Sequence, residues 1–341
     1  MDNENVDQTN SENLRKRELR EKINDLYYHK FLCTGFSERY TEFINNLRVD
    51  RLWGVIGAFT RNGKSWSLLD IVRNSERYKN HDGNTYFPVL VVQAPSSNTI
   101  NGNDLYASIR RGFGYTGSLT ALNCKDWLID VIPKVGLEQI IFDDAHELSN
   151  NHLRVIKDLT DELILQKNHH LSIVLSSVID FNEILVWRKI CAYSNEAWMK
   201  QLYERFKAFK IVHGLTIDEV AQVLRDYEVL YSEVFSKIEL TGYTSDIFTW
   251  LTCSLIDDFN CERVAMDHLA FTIYESAKIA CLEYNMDNIP LGLIKNVIDN
   301  KLIYKKTVST ITTEKKYTPK KNTEERRVKN EQVKKHEENV I

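Results

Sequence analysis

The sequence has no basis for a zinc site or a disulfide framework. Its six cysteines (Cys33, Cys124, Cys191, Cys253, Cys261 and Cys281) are scattered, with no CxxC pair and no Cys/His cluster at metal-binding spacing. They read as reduced core thiols. No stretch approaches the roughly 18 uninterrupted apolar residues of a membrane span, so no membrane partner is expected. Residues 1–13 are acidic and polar where a signal peptide needs a basic start and an apolar run, and a cytoplasmic protein is the expectation. No internal repeat is visible.

What is present suits a globular protein with a sizeable core: 341 residues, 43% hydrophobic and 27% charged. The net charge of -4 hides an asymmetry, because residues 301–341 carry twelve Lys/Arg against six Asp/Glu. From Tyr304 on, the chain is rich in Lys, Thr, Glu and Asn, with almost no large apolar residue after Tyr317. Such a segment is expected not to fold alone.

Residues 1–14 read as disordered. From 15 to 31, Leu19, Ile23, Leu26 and Tyr27, with Leu14 just ahead, fall at helical spacing. Short apolar runs then mark buried strands: Arg51 to Gly57, closed by glycines, Phe87 to Gln93, ended by Ala94-Pro95-Ser96-Ser97, Gln139 to Phe142, and Leu171 to Ser177. Helices are expected between them, from Ser65 to Arg73, from about Asn103 to Phe113 and from about Asn150 to Gln166. Strands alternating with helices predict an α/β fold with a parallel sheet flanked by helices. After Phe209 only helices are expected: Thr216 to Tyr231, opened by a capping-box pattern at Thr216 and Glu219, then Asp246 to Asp257, Cys261 to Tyr284, and Leu291 to about Asn300. The expected layout is a tail and leading helix over 1–31, a P-loop NTPase core over 32–212, a small all-helical lid over 213–300 and a basic tail over 301–341.

A polyphosphate needs a cradle of backbone N–H groups, a cation for the outer phosphates and a hydroxyl for magnesium, all at a helix N-terminus. Ala58-Phe59-Thr60-Arg61-Asn62-Gly63-Lys64-Ser65 matches GxxxxGK[ST], except that Ala58 replaces the first glycine and Gly57 precedes it. Alanine fits there if its backbone torsions are ordinary. A buried strand before the motif and a helix after it, beginning at Ser65, are the context that the mechanism requires. These residues are the expected ATP-binding set, with Trp66 beside them.

The matching acidic strand end is Ile140-Ile141-Phe142-Asp143-Asp144-Ala145-His146-Glu147. Open α/β sheets place ligands at such carboxyl ends. Asp143 is expected to hold Mg2+ together with Ser65, and Asp144 to orient the attacking water. Asp144 stands where glutamate is usual, one methylene shorter, so slow hydrolysis is expected. His146 reads as a structural strand-end residue. Ser176 or Ser177 is a candidate polar sensor near the γ-phosphate, Ser177 being taken as the catalytic candidate, although small hydroxyls are common at strand ends.

Over residues 35–285 these features resemble the AAA+ ATPases that regulate DNA transposition, the TniB, TnsC and MuB types. Outside the ATP site the likeness rests on Phe87 to Pro95 followed by Asp104-Leu105-Tyr106, on the DEAH-like box from Ile141 to Leu148, on Arg205-Phe206 and on Gly242-Tyr243-Thr244-Ser245. Ala58 and Asp144 depart from the pattern, and no sensor arginine is evident near Tyr243 and Ser245. The resemblance implies an ATPase that assembles as a ring or filament on double-stranded DNA, with a transposase and target-selection proteins as partners. It implies Arg205 as the arginine that reaches a neighbouring subunit's nucleotide, with Arg188 next in line, although Arg205 also reads as part of a charged face. It implies DNA contact at Arg110, Arg111 and Lys125, where a solvated helix face is the alternative reading, or along the C-terminal basic run. Two other readings stay open: a signalling NTPase acting on protein partners, and an origin-recognition or loader ATPase. The latter usually adds a C-terminal winged helix, for which residues 291–341 are too few and too polar.

Overall fold

Three strands with unbroken burial decide the architecture. In the computed structural model, Val55 and Ile56, Ile140 to Phe142, and Ile173 to Leu175 are all buried, which a strand allows only when both faces of its sheet are covered. Residues 2–30, 32–75, 86–95, 102–117, 120–180, 183–193, 195–252 and 262–301 are described, with backbone alone at 2–12, 29 and 121. The expected basic tail beyond residue 301, Ser96 and Ser97, and Cys253 and Cys261 lie outside the described residues.

The chain begins with α1 (Asp2–His29) and α2 (Gly35–Val49), followed by β1 (Trp53–Ala58), α3 (Lys64–Asn74) and β2 (Val89–Gln93). Next come α4 (Asp104–Gly112), α5 (Ala121–Lys134), β3 (Gln139–Asp143), a short 3-10 helix (Ala145–Glu147), α6 (Asn150–Lys167) and β4 (Ser172–Asp180). The sheet is completed by β5 (Glu183–Ile184), α7 (Leu185–Ala192), α8 (Ala197–Arg205) and β6 (Phe206–Val212). The remaining elements are helical: α9 (Ile217–Tyr231), α10 (Thr244–Leu251), α11 (Met266–Leu282) and α12 (Leu291–Lys301).

The sheet order is β2-β3-β4-β1-β6, all parallel, with the short β5 antiparallel to the end of β4. β4 therefore separates β1 from β3, and the two strands that carry the expected nucleotide motifs end on the same edge. On one face Val55, Ile140, Phe142, Ile173 and Leu175 join a core with residues of α4 to α8. Alternation turns Ile56, Ile141 and Val174 to the other face, where α2 packs on β1, β4 and α3.

Three sequence expectations need correction. The helix expected from residue 15 extends back to Asp2; no glycine or proline interrupts 2–14, and lengthening a nucleated helix requires no further nucleation. A sixth strand, β6, runs to Val212, past Phe209 where only helices were expected. It is an edge strand whose middle is half-exposed, so it lacks the continuous apolar run that marks its buried neighbours. The helix expected from Cys261 starts at Met266, because Val264 is held extended by an antiparallel bridge to Leu215.

The helices after β6 are tied back to the core by named contacts. Thr216 accepts from Glu219 N, while Glu219 Oε2 accepts from Thr216 N at 2.9 Å, so the capping box is reciprocal. The same glutamate pairs with Arg39 of α2, and the first residue of α2, Gly35, leaves it room: a Cβ there would collide with the Glu219 carboxylate. Tyr27 of α1 stacks on Tyr274 of α11 with ring centroids 4.3 Å apart, and Tyr274 OH donates to Asn24 Oδ1 at 2.8 Å. Replacing Glu219 with Ala removes the cap and the Arg39 pair together and should lower stability by about 1–2 kcal/mol, measured as a shift in urea midpoint at unchanged m-value.

Candidate functional site

Both motif loops leave the sheet at its carboxyl edge. β1 ends at Ala58 in extended conformation, which is why alanine serves where glycine is usual. Gly57 is the residue that cannot change, since a Cβ on it would meet Ile184 of β5. The loop then turns at Arg61, with φ 67°, and at Gly63, with φ 91°. Gly63 is the N-cap of α3, so the first N–H groups of that helix face the loop without intrahelical partners. A left-handed arginine carries roughly 1–2 kcal/mol of backbone cost, and its carbonyl is held by the N–H of Asp267 in α11 at 3.0 Å.

Within the loop, Thr60 and Arg61 are exposed, while Asn62 and Lys64 are buried. Burial pushes the Lys64 ammonium pKa down, and the carboxylates of Asp143 and Asp144 push it back up. Its Nζ stands 3.9 Å from Asp144 Oδ1. The three phosphate-directed elements, a buried cation, a helix N-terminus and a hydroxyl at Ser65, thus converge.

Asp143 ends β3 with its carboxylate buried and fully engaged. Oδ2 accepts from Ser65 Oγ at 3.4 Å, and Oδ1 accepts from Ser176 Oγ at 2.9 Å and from the Asp144 N–H at 2.9 Å. Behind Ser176, Tyr40 OH of α2 donates to its hydroxyl at 2.8 Å. Tyr40 is fully buried, and burial raises its phenol pKa far above the ordinary value, so it remains a proton donor to Ser176. The Ser65 and Asp143 oxygens are the donor set a small hard cation takes, and their proximity fits a Mg2+ site of protein, water and phosphate oxygens.

Asp144 lies at φ 49°, ψ 41°. Aspartate enters the left-handed region more readily than most residues, which gives its presence in place of glutamate a backbone reason. Its Oδ2 accepts from Gln93 Nε2 at the end of β2, at 2.9 Å. Lys189 of α7 buttresses the turn that follows, donating to His146 O at 2.8 Å and Leu148 O at 2.6 Å. His146 itself stands 3.5 Å from Glu147.

The other expected site residues are placed as follows. Ser177, on the face of β4 opposite Ser176, is buried and accepts from the Val186 N–H of α7 at 3.3 Å, away from Asp143. Trp66 is partly exposed in the first turn of α3. Arg205 pairs with Asp161, bonds Thr160 Oγ1 at 3.3 Å and lies 5.3 Å from the ring centroid of Trp53. Trp53 begins β1, so Arg205 is about 16 Å of strand away from its own phosphate loop. Arg188 faces Asp180 and Glu183 at 3.6 and 3.8 Å. Arg110 bonds Gly117 O and packs over Tyr115 and Trp127, Arg111 bonds Ser108 Oγ at 3.0 Å, and Lys125 pairs with Glu162.

A cavity of about 230 Å3 opens beside the loop, bordered by Tyr27 and Tyr28 of α1, Thr34 and Phe36, Asn62 and Gly63, Trp66, Tyr227 of α9, and Met266 and Asp267 of α11. Sequence reading missed this cavity, Tyr40 and Gln93. Gln93 had a signal once strand order is known, since its register partner on β3 is Asp143. The cavity had none, because its walls come from five separate segments.

Comparison with known proteins agrees with this geometry. The AAA domain family matches residues 48–185. Among solved structures, the ORC2 protein of Aeropyrum pernix in its ADPNP–ADP complexes is similar at TM-score 0.57 and 11% identity, over 81% of this chain and 71% of that one. The ADP form of ORC2 gives 0.58 and 13% over 82% and 72%. Drosophila ORC bound to DNA gives 0.50 and 10% over 83% and 65%. No curated protein matches the chain by sequence. The fold is that of an AAA+ P-loop NTPase, a parallel sheet flanked by helices with a helical C-terminal region.

The Tyr40–Ser176–Asp143 relay predicts a selective defect. Tyr40→Phe deletes one buried hydroxyl without opening a cavity and should raise the Mg2+ concentration needed for half-maximal nucleotide binding about two- to tenfold. Affinity measured in EDTA should stay unchanged; an equal loss with and without Mg2+ would show the relay to be merely structural.

Proposed function

We propose that this chain is an ATPase of the AAA+ type whose nucleotide state controls its assembly on double-stranded DNA. The observation that carries the proposal is the convergence of Lys64, Ser65, Asp143 and Asp144 on one edge of the sheet, at the N-terminus of α3. ATP is the substrate. Lys64 and the N–H groups from Gly63 onward bind its outer phosphates. Ser65 and Asp143 hold Mg2+, which when bound neutralises charge developing on the phosphates. Asp144 orients the attacking water, and Gln93 and Lys189 fix that carboxylate and the turn beneath it. A shorter acid in a left-handed turn, already bonded by Gln93, is consistent with slow hydrolysis.

The DNA part of the proposal is supported by likeness of fold to an origin-recognition complex that has been solved on DNA and by the resemblance of residues 35–285 to transposition regulators. On that resemblance we assign the activity to target-DNA regulation for a transposase, with partners among the transposase and target-selection proteins. The origin-recognition or loader reading is favoured by the similarity to ORC2 over four-fifths of the chain. Arg205 is the candidate for contact with a neighbour's nucleotide: it is too far from its own phosphate loop to act in cis, and Asp161 holds it half-exposed. Burial raises the Asp161 carboxyl pKa, but hydrogen bonds from Lys157 and Arg205 outweigh this and lower it. Arg110, Arg111 and Lys125 reach DNA phosphates only by exchanging their present partners.

Lys64→Ala should abolish ATP binding in a folded protein, as read by isothermal titration. Asp144→Asn should keep ATP and Mg2+ binding and lose hydrolysis, as read by phosphate release. If the variant hydrolyses ATP at the wild-type rate, the catalytic role belongs elsewhere.

Electron microscopy with ATP, Mg2+ and duplex DNA should show rings or filaments on the DNA, absent with Arg205→Ala. DNA affinity in the ATP state should fall steeply with salt and depend little on base sequence. Assembly on DNA that ignores nucleotide would overturn the proposal. Loading confined to DNA of one defined sequence would favour the origin-recognition reading over target regulation.

A further inference from the structure

Arg61 is the strained residue of the phosphate loop. Its φ of 67° is one that glycine adopts freely and asparagine tolerates, so an arginine there stands against its own backbone preference. Strain of this kind, in a non-glycine residue at the mouth of a cleft, points to work done by the side chain. The fold itself gives that side chain none. Arg61 is exposed, and among the described residues its guanidinium has no hydrogen-bond, ion-pair or ring partner. What fixes the residue is its carbonyl, which accepts from the N–H of Asp267 at 3.0 Å. That bond sets the loop between two helix N-termini. α3 opens at Lys64 with Gly63 as its cap, α11 opens at Met266 with Ala265 as its cap, and neither cap bonds the helix through a side chain. Each end carries partial positive charge. Burial lowers the His268 pKa and the Arg61 charge lowers it further, with Asp267 opposing them, so the Arg61 charge acts on the side of the loop that faces α11. A partner-free cation beside two helix N-termini and Lys64 is repelled by all three, and a polyanion on the loop would turn each repulsion into attraction.

We propose that Arg61 is a second phosphate-binding cation of the loop, holding the polyphosphate from the solvent side while Lys64 holds it from the buried side. The inference rests on the ATP site proposed above and deepens it. The loop motif calls for one cation, at Lys64, and leaves the residue type at position 61 open. The two charges differ in kind. Lys64 is 8% exposed, so dissolved salt screens it little, whereas the exposed charge of Arg61 is screened beyond about 10 Å at 0.1 M salt and beyond about 3 Å at 1 M. A contribution made through charge is also blind to the base, so ATP and a bare polyphosphate gain from it alike. Lysine supplies the same charge at this position, and asparagine supplies the same backbone without it.

The test is equilibrium displacement of a fluorescent ATP analogue from the full-length protein by ATP and by inorganic tripolyphosphate, at about 0.05 M and about 0.5 M salt. Arg61→Asn, Arg61→Gly, Arg61→Lys and Lys64→Ala are compared with the wild type. At the lower salt Arg61→Asn and Arg61→Gly should weaken both ligands about five- to tenfold, and Arg61→Lys less than about twofold. At the higher salt the gap between wild type and Arg61→Asn should shrink to about twofold or less. Without ligand, Arg61→Asn and Arg61→Gly should unfold at urea midpoints no lower than the wild type, because both residues accept the left-handed backbone more readily than arginine. Wild-type affinity in Arg61→Asn overturns the inference while leaving the ATP site intact. So does a loss that high salt does not diminish, or one that Arg61→Lys shares in full, since charge is then not its cause. A lowered urea midpoint accompanying the loss assigns Arg61 to the fold and overturns it too. Binding of neither ligand by the wild type, or binding indifferent to Lys64→Ala, is instead the failure of the ATP reading itself.

Discussion

The Asp143 carboxylate is where the sheet, α2 and α3 become one machine. It is buried, and a buried carboxylate is tolerated only when its oxygens are occupied. Here Ser65 of α3, Ser176 of β4 and the N–H of Asp144 occupy them, and Tyr40 of α2 fixes Ser176 from behind. Four elements therefore share one acid. Moving β3 relative to β4 would strip a partner from that charge, so the geometry that keeps the carboxylate in place also fixes the phosphate loop and Asp144 beside it.

The same economy governs the backbone. Arg61 and Asp144 both adopt left-handed conformations at the mouth of the cleft, a conformation that persists in non-glycine residues only where surroundings enforce it. For Arg61 the enforcement comes from Asp267 of α11, whose N–H holds its carbonyl; for Asp144 it comes from Gln93 on one side and the Lys189-braced turn on the other. The loop is thus bonded directly to α11, and the Tyr27–Tyr274 stack joins α11 to α1.

Arg205 illustrates a different constraint. It follows α8 and precedes the edge strand β6, on the entry side of β1, where its guanidinium packs over Trp53 and pairs with Asp161. Geometry removes it from the phosphate loop of its own chain and leaves it part-exposed beside an edge strand. Arg110 and Arg111, by contrast, are engaged within α4 and the loop after it, and Lys125 of α5 is paired with Glu162 of α6.

Local chemistry made much of this legible from the sequence. The phosphate loop needs its residue types at fixed spacing, and strands buried on both faces need unbroken apolar runs, so the loop after β1, the acidic pair at the end of β3 and the strands β1 to β4 could be read directly. The capping box at Thr216 and Glu219 was equally local. What the sequence could not state was any fact that depends on which strands are neighbours. That Gln93 faces Asp144, that Ser176 rather than Ser177 bonds Asp143, and that Tyr40 stands behind it all follow from the order β2-β3-β4-β1-β6 and from the phase of one strand, where a one-residue slip exchanges the faces. β6 escaped notice because its middle is half-exposed and lysines interrupt its apolar residues, whereas the other edge strand, β2, is mostly buried and keeps an apolar run. The cavity beside Asn62 was decided wholly by tertiary packing, since segments more than two hundred residues apart in the chain supply its walls, and no local pattern records that they meet.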